Sequence, residues 1–166
     1  MAAYNVLIAD GLNENGRAIL RSSANVDERP GISPEELLQE IKDYDALIVR
    51  SRTNVTAEVF DAAKRLKVVG RVGVGVDNID LETAKLHGVT VANAPMSTTM
   101  AVAELTFGLM LALAREIPRA DAGMKQGEWL KKELAGAELS GKTLGILGMG
   151  RIGGEVGRRA VIFGMQ

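Results

Sequence analysis

The sequence predicts an α/β fold built on a parallel sheet, and three observations carry that expectation. Short aliphatic, often β-branched runs recur along the 166-residue chain, separated by stretches of helical periodicity. Such alternation marks βαβ units whose sheet is covered on both faces. Aromatic residues make up 4% of the chain against 46% hydrophobic residues, so the core is aliphatic. The 19 glycines cluster at turn-like positions without a collagen period.

The elements follow in order. Val6-Leu7-Ile8-Ala9 reads as a strand and residues 14–22 as a short helix. Ser33-Pro34-Glu35-Glu36 is a capping box with proline at the first helical position, opening a helix to about Asp43. Ala46-Leu47-Ile48-Val49 is the next strand, 57–65 a helix, and 68–72 a strand. Asp80 caps a short helix that stops at His87-Gly88, and Val89-Thr90-Val91-Ala92 is again a strand. A helix is expected over 98–117, entered through Ser97 or Thr98 and closed by Arg115 and Pro118. Its residues Val102, Leu105, Phe107, Leu109, Met110, Leu111 and Leu113 surround the whole helical wheel, which requires burial in a core or at a subunit interface. Residues 119–142 form a polar, Gly-punctuated stretch containing Trp129. A strand over 143–147 and a helix over 150–163 then begin a second sheet.

Composition excludes several classes of function. Twenty basic and 21 acidic residues leave a net charge of −1, without the basic face that nucleic acid requires. The absence of cysteine removes disulfides, thiolate metal sites and cysteine nucleophiles, and the single histidine, His87, rules out a multi-histidine metal site. The longest apolar stretch, Met100 to Ala114, is interrupted by Glu104 and is too short to span a bilayer. No basic region precedes an apolar run at the N-terminus, so the chain is read as cytoplasmic and without a membrane partner.

Two glycine-rich segments point to anions. Gly148-Met149-Gly150-Arg151-Ile152-Gly153 fits G-x-G-x-x-G, follows a predicted strand and opens a helix. In that context the first glycine permits the turn, the second lets a pyrophosphate approach the backbone, and the third packs helix on strand. The helix N-terminus offers free N–H groups and a positive dipole end. The acidic residue that would grip a ribose belongs about 20 residues further on, past Gln166, so NAD and NADP are not distinguished here. Earlier, Arg71-Val72-Gly73-Val74-Gly75 runs from a strand into a loop able to present backbone amides as an anion nest. Arg50-Ser51-Arg52 follows another strand end, where guanidinium groups bind carboxylate or phosphate bidentately.

The chain resembles the NAD-dependent D-2-hydroxyacid dehydrogenases from Val6 to Gln166. The resemblance rests on Asp45–Ser51, Arg71–Asp80, Val91-Ala92-Asn93-Ala94-Pro95, Ala103-Glu104-Leu105-Thr106 and Gly141–Ile146 with the fingerprint that follows. It departs where members often read Asn-Thr-x-Ser before the long helix: this chain has Thr98-Thr99-Met100-Ala101. The resemblance implies a flavodoxin-like substrate-binding domain over 1–97, then a dimerisation helix and the start of a Rossmann NAD-binding domain over 98–166. It implies NAD as cofactor, a small 2-hydroxy acid as substrate and a homodimer or higher homo-oligomer. Arg50, Ser51 and Arg52 would contact substrate anions, and Gly73, Val74 and Gly75 would hold its carboxylate beside the nicotinamide. Gly148, Gly150, Arg151, Ile152 and Gly153, with Val74, would bind the cofactor. Lys131 and Lys132 would be lent to a neighbouring subunit's phosphate site, and this basic set leans toward a phosphorylated acid. The family's catalytic Arg, Glu and His are expected beyond Gln166, so no catalytic residue is assigned among these 166, and they are expected to be inactive alone. His87 matches no catalytic position of the family and reads as a helix-end residue. Glyoxylate or hydroxypyruvate reduction and non-catalytic dinucleotide sensing stay open as alternatives.

Overall fold

A computed structural model describes residues 4–166. The chain divides between Ser97 and Thr98 into two compact units.

The first unit is a five-stranded, wholly parallel sheet of order β2-β1-β3-β4-β5. Its elements are β1 (Tyr4–Ile8), α1 (Glu14–Arg21), β2 (Ala24–Glu28), α2 (Pro34–Glu40), a 3₁₀ turn (Ile41–Asp43), β3 (Ala46–Val49), α3 (Ala57–Ala62), β4 (Val68–Arg71), α4 (Leu81–Leu86) and β5 (Thr90–Asn93). Right-handed crossovers put α1 on one face and α2, α3 and α4 on the other. Alternate strand residues share a face. Leu7, Ala9, Leu47, Val49 and Val69 thus meet Leu37, Ile41, Val59 and Phe60 of the helices in one buried cluster. The caps lie where the sequence puts them. Ser33 and Glu36 bond reciprocally at 3.2 and 3.0 Å, and Asp80 accepts from the Thr83 N–H at 2.9 Å.

Strand β2 is an addition to the sequence reading. Its residues, Ala24-Asn25-Val26-Asp27-Glu28, include too many polar side chains to stand out as a strand. Among the described residues it pairs only with β1, and an edge strand tolerates, and is protected by, charged residues.

In the second unit the expected 98–117 helix is α5 (Thr99–Ala114), three residues shorter at its C-terminal end, and a further helix, α6 (Ile117–Lys125), lies mostly in the 119–142 stretch read as polar and Gly-punctuated. The break falls at Glu116, whose φ of 52° is left-handed. Pro118 then sits in the first turn of α6. Thr98 occupies the N-cap position of α5 but makes no side-chain cap bond, while the Ser97 hydroxyl donates to the Ala94 carbonyl.

Helix α7 (Arg151–Ile162) packs on α5 through Ala103, Phe107, Val156 and Ala160, with Phe107 and Phe163 stacked at 4.9 Å. The opposite side of α5 is bare in the single chain: Leu105, Leu109 and Leu113, one turn apart, are 61%, 62% and 82% exposed. The apolar wheel therefore serves two surfaces, and only one is covered here.

Residues 143–147 do not form the expected strand. A strand is defined by its ladder, and among the described residues only one rung exists. The Leu144 N–H donates to the Gln166 carbonyl and the Gln166 N–H to the Lys142 carbonyl, at 2.7 and 2.8 Å. That pair of bonds has the parallel pattern, so α7 returns the chain beside the segment that preceded it. Among the described residues no helix is long and apolar enough to cross a membrane, and no group of three acidic or histidine ligands could hold a metal.

Candidate functional site

The strand order of the first unit reverses between β1 and β3. Loops leaving those two strands diverge at the sheet's carboxyl edge and open a crevice, the position where ligands bind in such folds. A cavity of about 480 Å³ lies there, lined by Asp10, Gly11, Pro30, Gly31, Arg50, Ser51 and Arg52. Three sequence-predicted residues thus converge on it.

The loop after β3 is held from beneath by Asp10, which sequence reasoning passed over. Its carboxylate is 4% exposed. It accepts the Arg50 N–H at 2.7 Å, the Thr53 N–H at 3.2 Å, the Thr53 hydroxyl at 3.0 Å and Arg52 Nε at 3.2 Å. Burial pushes this carboxyl's pKa up, but the Arg50 and Thr53 bonds outweigh burial and hold it below the ordinary aspartate value. The two arginines consequently differ. Arg52 is tethered through Nε, leaving its terminal nitrogens over Gly31, whereas Arg50 makes no ion pair among the described residues. Arg50 is the free cation of the crevice and Arg52 a partly neutralised, oriented fork.

The loop after β4 forms the neighbouring cradle. The Gly73 N–H is already engaged, donating to the Arg71 carbonyl at 2.9 Å, and its carbonyl accepts the Ala94 N–H at 2.9 Å. Of the three predicted amides, those of Val74 and Gly75 therefore stay open, with no backbone partner among the described residues. Gly73 has φ 156°, and a Cβ there would overlap the Arg71 guanidinium. A Cβ on Gly75 would lie 2.6 Å from Asp77 Oδ1. Asn93, at the end of β5, steadies the loop by donating to the Val74 carbonyl at 2.7 Å.

His87 lies outside this edge. Helix α4 runs back across the sheet, so its C-cap residue His87 lies toward the amino ends of the strands, opposite the crevice. Its Nε2 is 3.1 Å from Asp61 Oδ1, and its ring packs near Phe60 at 6.2 Å. That placement matches a structural residue.

In the second unit the fingerprint glycines divide by physical reason. Gly148 has φ 97°, which favours glycine, and a Cβ on Gly153 would overlap the Gly148 carbonyl oxygen. Gly150 is different: nothing lies within 4 Å of where its Cβ would be. No internal packing demands glycine there, as expected where an outside group must touch the backbone. Gly150 is also the N-cap of α7 and supplies no side-chain cap, so the first-turn N–H groups of Arg151, Ile152 and Gly153 are left without one. The turn therefore fits a dinucleotide pyrophosphate. Arg151 is exposed and forms no salt bridge among the described residues, and Ile152 packs partly into the α5–α7 core. Lys131 and Lys132 are exposed on a turn after α6, and Lys131 borders a shallow cavity with Trp129 and Met124.

Residues 6–155 match the D-isomer specific 2-hydroxyacid dehydrogenase catalytic domain. The chain belongs to the D-isomer specific 2-hydroxyacid dehydrogenase family. It is 53% identical over 161 residues to a D-3-phosphoglycerate dehydrogenase of Methanocaldococcus jannaschii, covering 97% of this chain and 31% of that protein. A crystal structure of a Thermus thermophilus protein superposes with a TM-score of 0.90 at 39% identity, over 98% of this chain and 54% of that one. An acyclic imino acid reductase in complex with NADPH and D-Arg superposes at 0.86 with 26% identity, covering 97% and 54%. The chain thus spans about a third of the curated relative's length and about half that of the solved chains.

Proposed function

We propose that this chain is the substrate-binding domain and the beginning of the dinucleotide domain of an NAD-linked enzyme that oxidises 3-phosphoglycerate to 3-phosphohydroxypyruvate, the first step toward serine. The observation that carries the reading is the pairing of two anion-binding features on adjacent strand ends of one unit. Arg50 and Arg52 offer charge to a phosphate, and the open amides of Val74 and Gly75 offer neutral donors to a carboxylate. A phosphorylated 2-hydroxy acid carries those two groups. The similarity to D-3-phosphoglycerate dehydrogenase supports the same choice.

Division of labour follows from the two units. The first binds and orients the acid. The turn at Gly148–Gly153, with the α7 N-terminus and Arg151, would hold the cofactor pyrophosphate through backbone N–H groups and one cation. When bound, the dinucleotide supplies the oxidant for the alcohol. NAD rather than NADP is part of this proposal. None of the chain's crevice residues has the properties of a proton acceptor at neutral pH, because Asp10 is a buried, multiply bonded carboxylate. The bare Leu105-Leu109-Leu113 stripe supports a homodimer, in which Lys131 and Lys132 would reach the partner's phosphate.

The test is Arg50→Ala in the full-length protein. Loss of a charge-assisted contact should cost about 2 kcal/mol in kcat/KM for 3-phosphoglycerate, with a smaller loss for unphosphorylated acids. Equal losses would assign Arg50 to the shared carboxylate. Preference for glyoxylate or hydroxypyruvate, or dinucleotide binding without turnover, would replace the proposed reaction.

A further inference from the structure

The loops that carry the two anion-binding features are joined by one side chain. Asn78 lies on the loop between β4 and α4, yet both hydrogens of its amide cross to the loop after β3. Nδ2 donates to the Arg50 carbonyl at 2.8 Å and to the Thr53 carbonyl at 2.6 Å. Its Oδ1 is buried without a partner, so the residue's bonding is wholly directed at that neighbouring loop. Behind it the main chains are stitched. The Val55 N–H donates to the Asn78 carbonyl at 2.8 Å and the Asp80 N–H to the Val55 carbonyl at 3.0 Å, closing a parallel bridge between Val55 and Ile79.

The consequence for Arg50–Thr53 is mechanical. Two of its N–H groups are fixed by Asp10 and two of its carbonyls by Asn78. The side chains of Arg50 and Ser51 and the terminal nitrogens of Arg52 are left to address a ligand. On the other side, Asn93 and Ala94 secure Val74 and Gly73 to the end of β5. Asn78 is the side chain that couples the cationic loop to the amide cradle. No other residue type of that size delivers two hydrogens: aspartate has none to give, and serine has one.

We infer that Asn78 is a positioning residue that sets the separation between the cationic loop and the amide cradle, and so selects acids carrying an anionic group at each end. The inference rests on the proposed substrate. A ligand held at one end tolerates drift of the other loop, whereas a ligand held at both ends does not.

The experiment compares 3-phosphoglycerate with D-glycerate, the same acid bearing a hydroxyl in place of the phosphate, in the full-length enzyme. Asn78→Ala should lower the ratio of the two kcat/KM values by about tenfold, through KM for the phosphorylated acid and with little change in kcat. Asn78→Ser, retaining one donor, should lie between wild type and Asn78→Ala, and it carries the same comparison should the alanine variant fail to fold. A residue that merely supports the fold would reduce both substrates in proportion. An unchanged ratio in the folded variants, with wild type preferring the phosphorylated acid, overturns the role of Asn78 and leaves the proposed function standing. Wild type that shows no such preference overturns both.

Discussion

Replacing Asp10 by alanine should destabilise the first unit severely and in a pH-dependent way. The side chain is 4% exposed and receives four hydrogen bonds. Truncation leaves the Thr53 N–H and hydroxyl unpaired in a residue only 9% exposed, together with the half-covered Arg50 N–H. Each buried orphan costs about 1–3 kcal/mol, and because they share one loop that can relax, a total of about 3 kcal/mol is expected at pH 7. The Arg52 contact adds little, since that guanidinium is 61% exposed. The folded-state pKa of Asp10 is lowered, so this stabilisation is complete above the unfolded aspartate value and disappears as pH falls through the folded one. Wild type and Asp10→Ala should therefore differ fully at pH 5 to 7, and the difference should shrink as pH falls below the ordinary aspartate value and through the lowered folded-state one. Urea titration followed by tyrosine absorbance isolates the right unit, because Tyr4 and Tyr44 are the chain's two tyrosines and both lie before Ser97. A loss under about 1 kcal/mol at pH 7, or one that does not shrink anywhere on acidification while the protein stays folded, would refute the assignment of Asp10 as the loop's acceptor.

Four further outcomes follow from single positions. Gly153→Ala should destabilise the second unit by more than about 2 kcal/mol, since its Cβ overlaps the Gly148 oxygen. Gly150→Val, whose side chain enters open space, should leave the melting temperature nearly unchanged while weakening NAD binding at least about tenfold in the full-length protein; equal effects on both properties would contradict the division of roles. Glu116→Gly should stabilise by roughly 1 kcal/mol by relieving the left-handed conformation, offset slightly by loss of the exposed Arg119 pair, and a thermal melt decides the sign. Leu109→Glu, in the middle of the bare α5 stripe, should shift the chain toward monomer in sedimentation velocity, and an unaltered distribution would place the self-association surface elsewhere.

What could be read from the sequence by itself was whatever is encoded locally. The Ser33–Glu36 box, the Asp80 cap and the apolar runs of β1, β3, β4 and β5 are decided within a few neighbouring residues, and each formed within two residues of where it was expected. The same holds for the glycine fingerprint, whose spacing reports a turn followed directly by a helix. Partnership across the chain decided the rest. Strand β2 exists because β1 offers it a ladder, and 143–147 is not a strand because, among the described residues, only Gln166 bonds to it, at Leu144. Helix α6 was hidden because its buried Gly123 makes room for Leu130 rather than breaking the helix. The separate roles of Arg50 and Arg52, and the placing of Asp10 and Asn78 under one loop, arise from contacts 25 to 43 residues apart. No local pattern records such contacts. The reversal of strand order between β1 and β3 brings Asp10 to Arg50, and only the assembled sheet contains that reversal.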